Sequence, residues 1–292
     1  MDLDDLRLFL HLSRSLHFGN SGKAMHKSAS AVSRIVQRLE EELGHALFER
    51  DNRTVKLTGQ GEALARYATT ALSEWDALRE RLRQGSETVR GSIAVFASVT
   101  ACQSFLPRLL TRFREAYPEV QLRLETGYAV DALVKLEQGE VDVTVAALPA
   151  RVPRQLISRV LEVTPLIFVG PAAQGEVSRQ LEKRSVAWAE VPMVLPAQGL
   201  ARAAVDRWFR ARRERPRVYS EVMGNEAILA LVSTGCGVGV VPKLVLEKSP
   251  LKNDVRALDV EPRIGEFRVG LCAARRSLAS RVVSAFWNAP AG

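Results

Sequence analysis

The sequence predicts an all-α N-terminal domain that ends in a β-hairpin, then a long helix, and then a larger α/β domain. Three observations predict this order. Apolar residues recur at helical spacing through the first 45 residues. An apolar repeat with alternating spacings of three and four runs from residue 64 to residue 82. After residue 91, apolar strand patterns alternate with helical patterns, which is typical of α/β layers with mainly parallel sheets.

The first domain is predicted to contain three short helices and a hairpin. The predicted elements are a helix over residues 3–15, a helix capped by Asn20 or Ser21 and ending near Met25, a helix from its cap Ser28 to Gly44, and strands at 48–50 and 54–57. The run 51–53 is a turn signal between those strands, so a β-hairpin wing is expected.

The third helix has two different faces. One face is apolar and includes Val32, Ile35, Val36 and Leu39, while the other is small, polar and basic. No acidic residue occurs between Leu6 and Leu39. An inert bundle of packed helices would usually intersperse Glu and Lys on such a surface. The pattern therefore predicts a helix-turn-helix whose third helix enters the major groove of double-stranded DNA.

The polar side chains of this region divide into three expected roles. Base edges are within reach of Ser30, Ser33, Arg34 and Gln37, and Arg34 is the best candidate for a bidentate contact to guanine. Phosphates are expected to be held by Lys27, Ser28 and Arg38. Arg53, at the tip of the wing, is expected to enter the neighbouring minor groove.

The long helix is predicted over residues 59–84, with Thr58 as its cap and a length of about 40 Å. Its repeat consists of Leu64, Ala68, Ala71, Trp75, Leu78 and Leu82. The alternative interpretation is an ordinary core helix. The repeat is held for nearly three heptads, which favours a dimerisation seam that brings two recognition helices to two half-sites. Residues 85–91 are expected to form a hinge.

The α/β domain is predicted from alternating segments. Their ranges are 92–97, 105–117, 120–125, 129–138, 141–147, 166–170, 178–183, 193–195, 200–212, 218–222, 226–233, 238–241, 268–273 and 278–287. Two polar loops between a strand and a helix stand out. One holds Ser98, Val99, Thr100 and Ala101, and the other holds Gln198. Hydroxyl and backbone N–H groups at helix starts bind anions, although routine helix capping explains them equally well. If the loops come from two lobes and face each other across a cleft, they form a site for a small anion.

Charge, cysteine content and hydropathy disfavour disulfide-rich, zinc-binding and membrane-spanning proteins. The net charge is +8, but residues 1–90 hold 14 Lys and Arg against 13 Asp and Glu, so the prediction of DNA binding rests on the local patch. Cys102, Cys236 and Cys272 suggest neither a disulfide framework nor a zinc site, and no metal or cofactor is expected. No export signal or membrane span is evident, so a cytoplasmic location is expected.

Two other functions compete with control of transcription through DNA binding. A solute-binding or transport module would need an export signal. An enzyme with a DNA tether would need catalytic residues in the cleft, and no histidine follows residue 45, which disfavours many hydrolase mechanisms. The expectation is therefore a protein that is not an enzyme.

The chain resembles the LysR-type transcriptional regulators over its whole length. The matching positions are Phe9-Leu10, His17-Phe18, Lys23-Ala24, Ser28, Ser33-Arg34, Arg38 to Gly44, Leu47-Phe48, Arg50, Leu57-Thr58 and Gly61. The resemblance implies a winged helix-turn-helix, a dimerising linker helix, and an effector domain like a two-lobed periplasmic binding protein. It also implies a homodimer or homotetramer that bends promoter DNA and contacts RNA polymerase. The expected domains are 1–58, 59–91 and 92–292, with lobe I at about 92–163 and 268–292 and lobe II at about 164–267.

Within that family, several stretches are similar to activators of the acetohydroxy acid isomeroreductase gene of branched-chain amino acid synthesis. These stretches are residues 1–3, 9–12, 50–55, 98–101, 197–199, 208–210, 235–238, 242, 245–247 and 249–250. Regulators of that type respond to acetolactate or acetohydroxybutyrate. Both are small 2-hydroxy-3-keto acids with one carboxylate, which suits a loop rich in hydroxyl and N–H groups. The alternative is a regulator of another pathway with a different small carboxylate effector.

Overall fold

The structure is a computed structural model that describes residues 1–50, 54–82 and 88–290. The predicted minor-groove contact Arg53 and residues 85–87 of the predicted hinge lie outside the described residues. The chain divides into two compact units. The first is built on Met1–Glu87 and the second on most of Thr88–Gly292, while the segments 138–140 and 279–281 group with the first.

The first unit contains the three predicted helices, the hairpin and the long helix. Its elements are α1 (Leu3–Ser15), α2 (Phe18–Ala24), α3 (Ala29–Leu43), β1 (Phe48–Arg50), β2 (Val55–Leu57) and α4 (Gly59–Leu82). The strands β1 and β2 pair antiparallel, with Phe48 opposite Leu57. The predicted all-α domain with a β-hairpin is therefore confirmed.

Helix ends in this unit follow their capping residues. Ser28 caps α3 because its Oγ accepts a hydrogen bond from the Ala31 N–H at 3.2 Å, and Gly44 ends α3 in the left-handed conformation at φ 71°. The predicted cap of α2 is wrong. The ring Nδ1 of His17 accepts from the Asn20 N–H at 3.1 Å, so α2 begins at Phe18. Ser21 instead lies buried, with its Oγ 2.9 Å from His11 Nδ1.

The core of the first unit joins all four helices to the hairpin. Phe9 of α1 packs on Phe48 of β1 with ring centroids 5.5 Å apart, and both are buried together with Val36 and Leu39 of α3. Burying each such side chain stabilises the fold by roughly 1.5–3 kcal/mol. This packing holds the apolar face of α3 inward, so the opposite face points to solvent.

The second unit alternates strands and helices. Its strands are β3 (Gly91–Ser98), β4 (Val120–Gly127), β5 (Val143–Ala147), β6 (Leu156–Pro171), β7 (Pro192–Pro196), β8 (Arg217–Val222), β9 (Val238–Pro242), β10 (Val255–Leu258) and β11 (Glu266–Ala274). Its helices are α5 (Val99–Ser104), α6 (Leu106–Ala116), α7 (Asp131–Glu137), α8 (Glu176–Leu181), α9 (Gly199–Ala211), α10 (Asn225–Ser233), α11 (Lys243–Lys248) and α12 (Arg281–Asn288), with a 3₁₀ turn at Arg275–Ala279.

Two lobes share the sheet of the second unit. In the first lobe, β3 pairs in parallel with β4 and β5, and in the second, β7 pairs in parallel with β8 and β9. The strands β6 and β11 run antiparallel to each other and belong to both lobes. The predicted α/β architecture is confirmed, but these two connecting strands make the sheet mixed. The elements α5, α11 and β10 and the first part of β6 were not predicted, and residues 99–101, expected in a loop, lie in α5.

Each lobe has its own apolar core on both faces of the sheet. In the first lobe, Phe113 of α6 and Phe286 of α12 meet edge to face at 5.0 Å. In the second, Phe168 of β6 packs against Trp188 and Trp208, with ring centroids 5.1 and 4.9 Å away. These separate cores make the lobes firm supports for the loops between them.

Candidate nucleic-acid interface and ligand cavity

The turn between α2 and α3 is held by a close backbone approach. The Lys27 N–H donates to the Gly22 carbonyl at 2.8 Å. A Cβ atom at Gly22 would lie 2.5 Å from the Lys27 carbonyl oxygen, a distance that side chains do not adopt. Glycine is therefore required for the two helices to meet at this angle.

The predicted base-reading side chains lie on the outer face of α3. Ser30, Arg34 and Gln37 are exposed and Ser33 is half-buried, while Val32 on the opposite face is fully buried. The hydroxyls of Ser28 and Ser30 are 3.0 Å apart, and Gln37 Nε2 donates to Glu41 at 3.1 Å. Lys27 is exposed at the start of the same face. The chain thus presents short hydroxyls, an amide and an exposed guanidinium together.

Arg38 has a partner inside the unit. Its Nη2 donates to Asp5 Oδ1 at 2.6 Å, and the Asp5 side chain is only 6% exposed while that of Arg38 is 57% exposed. A buried carboxylate is costly unless it is paired, so this bond fixes α3 to α1. The guanidinium carries five N–H donors, which leaves Arg38 able to contact a phosphate as well. The predicted phosphate role remains a prediction, beside a structural role that sequence reasoning missed.

The predicted dimerisation seam is divided by the fold. Leu64 and Ala68 are buried in the core of their own unit, and Ala71 is partly buried against it. Trp75, Leu78 and Leu82 are exposed to 40%, 37% and 76%. Helix α4 packs against α1, which covers the first half of the seam. Tyr67, also on α4, is 57% exposed. Only the second half of the seam is therefore open to a partner helix.

In the second unit, a cavity of about 320 Å³ lies between the two lobes. Its polar wall is formed where three helices begin: residues 98–100 at α5, residues 198–201 at α9 and residues 224–226 at α10. Ligands of open α/β sheets bind beyond the carboxyl ends of strands, which is where this cavity lies. Its volume suits a small metabolite.

Four of the predicted effector residues, Ser98, Val99, Thr100 and Gln198, line this cavity. Ala101 is buried behind it and donates its N–H to Ser98 Oγ at 3.3 Å. Ser98 is thus the N-cap of α5, as the capping alternative would have it, and its hydroxyl still borders the cavity.

The helices α9 and α10 begin at the cavity without a side-chain cap. Their N-cap residues, Gln198 and Gly224, form no capping hydrogen bond through a side chain. Gly199 and Gly224 adopt φ angles of +91° and +85°, which favour glycine. Unsatisfied N–H groups at a helix start, together with the helix dipole, attract an anion.

Two hydrogen bonds connect the lobes at the cavity wall. Thr100 Oγ1 of the first lobe donates to Glu226 Oε1 at 3.3 Å and accepts from Asn225 Nδ2, also at 3.3 Å. Sequence reasoning missed Asn225 and Glu226. The available signal was a polar pair after Gly224 at the start of a helix, which resembles the two polar loops at residues 98–101 and 198. The remaining wall is largely apolar and includes Val130 and Leu133.

Neither the buried Cys272 thiol nor any described cluster of potential metal ligands forms a second site. Burial raises the pKa of the Cys272 thiol to about 11, so this thiol stays protonated at neutral pH. Across residues 1–50, 54–82 and 88–290, no group of His, Cys, Asp and Glu is arranged to hold a metal ion.

Within the same ranges, no helix combines the length and apolarity that crossing a bilayer requires.

Comparisons with known proteins match both units. Residues 3–62 match the family described as bacterial regulatory helix-turn-helix protein, lysR family, and residues 86–289 match the LysR substrate binding domain. The chain is 41% identical over 291 residues to the HTH-type transcriptional activator IlvY of Salmonella typhimurium, covering 99% of each protein. It is 40% identical to the HTH-type transcriptional regulator IlvY of Escherichia coli, covering 99% of this chain and 98% of that protein.

A solved structure shows the same fold. The chain is similar to a full-length OxyR variant from Pseudomonas aeruginosa, with a TM-score of 0.72 and 23% identity, covering 99% of this chain and 94% of that chain.

Proposed function

Because the chain belongs to the LysR family of transcriptional regulators, we propose that it is an activator gated by a small carboxylate that binds in the cavity. One observation carries the proposal: the 41% identity to an IlvY activator extends over 291 residues, and so through both units. The proposed target is the promoter of the acetohydroxy acid isomeroreductase gene of branched-chain amino acid synthesis.

The proposed effector is acetolactate or acetohydroxybutyrate. Each has one carboxylate, one hydroxyl, one keto oxygen and small alkyl groups. The cavity offers matching groups: helix-start N–H groups at Gly199, the hydroxyls of Ser98 and Thr100, and apolar walls. The volume of about 320 Å³ accommodates a molecule of this size.

On the DNA side, α3 is proposed to lie in the major groove, with Arg34 reading guanine and Lys27 and Ser28 on phosphates. One such helix reads only a few base pairs, so the proposal requires a dimer. The exposed residues Trp75 and Leu78 of α4 supply its surface. Two dimers then form a homotetramer that bends the promoter and contacts RNA polymerase.

The proposed domains assign DNA binding to 1–58, dimerisation to 59–91 and effector binding to 92–292. The second unit supports a gating mechanism, since the cavity touches both lobes and Thr100 already bonds across them. An effector that binds one arrangement of the lobes better than another shifts the population toward it. Equal affinity for the two arrangements would shift nothing.

Calorimetry on the full-length protein tests this proposal. Acetolactate is expected to bind with measurable heat, whereas acetate and pyruvate, which lack the hydroxyl, bind at least about tenfold more weakly, a difference of about 1.4 kcal/mol. Footprinting of the promoter with and without acetolactate is expected to show an altered boundary. If the protein protects the promoter but responds to none of these acids, the second candidate holds: a LysR regulator with a different carboxylate effector.

A further inference from the structure

We infer that Glu226 makes the cavity selective for 2-hydroxy acids, by accepting a hydrogen bond from the hydroxyl next to the ligand carboxylate. This inference rests on the proposed function, in which the cavity holds a small carboxylate. It adds a specificity-determining residue on α10, in the lobe opposite the Ser98–Thr100 segment.

The charge of the cavity wall is the first observation. Among the described residues that line the cavity, Glu226 is the one acidic residue, and none is Lys, Arg or His. A bound carboxylate therefore meets a like charge and no cationic side chain. Such a wall weakens the binding of every simple carboxylate. It therefore favours only ligands that donate a hydrogen bond to Glu226.

The second observation is the geometry around Thr100. Its hydroxyl has one hydrogen, which it donates to Glu226 Oε1, and it accepts from Asn225 Nδ2. Both distances are 3.3 Å, longer than is usual for hydrogen bonds from hydroxyl or amide groups. Since a carboxylate offers about four lone-pair sites, Glu226 can accept a second, shorter bond from a ligand hydroxyl. A hydroxyl bonded to a carboxylate forms a charge-assisted hydrogen bond, roughly twice as strong as a neutral one.

The helix starts place the two ends of the ligand. The first turn of α10 already contains Glu226, which offsets the attraction of that helix for an anion. The first turn of α9 has no acidic residue, and its N-cap Gln198 makes no side-chain bond. The ligand carboxylate is therefore placed at α9 and the adjacent hydroxyl at Glu226 on α10. A 2-hydroxy acid can form hydrogen bonds at both helix starts, whereas the same acid without its hydroxyl can do so only at α9.

The substitution Glu226→Gln gives a signature that a merely structural role would not produce. It removes the like charge and replaces a charged acceptor by a neutral one of the same shape. Affinity for a 2-hydroxy acid is expected to fall by about fivefold, because the charge-assisted bond is lost. Affinity for the matched acid without the hydroxyl is expected to rise by about threefold, because the repulsion is lost. The two affinities thus move in opposite directions.

The experiment compares pairs of acids in which a methyl group replaces the hydroxyl. The pairs are acetolactate with 2,2-dimethylacetoacetate, and 2-hydroxy-2-methylbutanoate with 2,2-dimethylbutanoate. Dissociation constants are measured by calorimetry on the full-length parent and the Glu226→Gln protein. The matched control is Glu247→Gln on α11, which makes the same charge change at a side chain that is 54% exposed and outside the cavity wall. Promoter footprinting confirms that each protein is folded.

The expected result is a hydroxyl preference of about tenfold in the parent and in the Glu247→Gln control, and nearly none in the Glu226→Gln protein. A parent without the preference, or a preference that survives in the Glu226→Gln protein, overturns the inference. If acetolactate fails to bind but 2-hydroxy-2-methylbutanoate and 2,2-dimethylbutanoate show the expected pattern, the proposed effector is wrong and the role of Glu226 stands. If acetolactate binds without a hydroxyl preference, the proposed function stands alone. Failure of all four acids to bind overturns both the role of Glu226 and the proposed effector, and leaves the second candidate function.

Discussion

Replacement of Arg38 by alanine is expected to loosen the DNA-binding unit before any DNA is present. The Arg38–Asp5 bond is 2.6 Å long, and the carboxylate is 6% exposed. Removing one partner of a fully buried ion pair costs about 3–5 kcal/mol. Here the guanidinium is 57% exposed, and Asp5 Oδ2 also accepts from the Asp2 N–H at 3.1 Å. Both facts lower the expected cost to about 1–3 kcal/mol.

Hydrogen exchange in the full-length protein measures this cost, because it reports the local opening free energy of α1 and α3. The variants are Arg38→Ala, Asp5→Asn and the double variant, which together form a double-mutant cycle. We expect a coupling of about 1–2 kcal/mol between the two residues. The control Arg14→Ala, at an exposed arginine of α1, is expected to stay within about 0.5 kcal/mol of the parent. Coupling below about 0.5 kcal/mol would refute the structural role of Arg38.

Three further predictions concern the turn, the long helix and the cavity. Gly22→Ala is expected to destabilise the turn by about 2 kcal/mol or more, since its Cβ meets the Lys27 carbonyl, and proteolysis of the first unit checks it. Leu78→Asp is expected to weaken self-association at least about tenfold by placing a charge on the exposed half of the seam; sedimentation that matches the parent would count against that surface. Ser98→Ala and Thr100→Ala are expected to weaken the response to acetolactate about fivefold while leaving the footprint intact. If both variants respond to acetolactate as the parent does, the effector binds elsewhere.

The helix-turn-helix could be predicted because local signals and long-range packing agree there. Ser28 caps α3 and Gly44 ends it, and the apolar spacing between them matches the buried face. The cap of α2 could not be predicted in the same way. Ser21 is a good capping residue by type, but the fold buries it beside His11, and His17 takes the cap. Which polar residue caps a helix depended on tertiary contacts that the local sequence does not contain.

The long helix shows the same limit. Its repeat is regular throughout, yet packing against α1 buries Leu64 and Ala68 inside one chain and leaves Trp75 and Leu78 exposed. Heptad spacing alone does not distinguish a core face from a face that awaits a partner.

In the α/β unit, strands with continuous apolar runs were predicted, while the first part of β6 was missed. That part carries Arg159 and Glu162 among its apolar residues, and pairing with β11 rather than local pattern makes it a strand. The cavity was located from two loops that end strands, which the lining residues Thr100 and Gln198 support. The position of Glu226 in the cavity could not be predicted, because it depends on how α10 meets α5 across the lobes.

The measurement that tests the central claim most directly is footprinting with Arg34→Ala on the promoter and on a variant promoter with one guanine of each half-site replaced. The substitution is expected to cost about 1–3 kcal/mol of binding free energy on the natural site and to remove the discrimination between the two sites. The control Arg263→Ala, an 86% exposed arginine in the second unit, is expected to bind and discriminate as the parent does. An Arg34→Ala protein that protects the natural site like the parent and still rejects the variant site would contradict the assignment of α3 as the recognition helix.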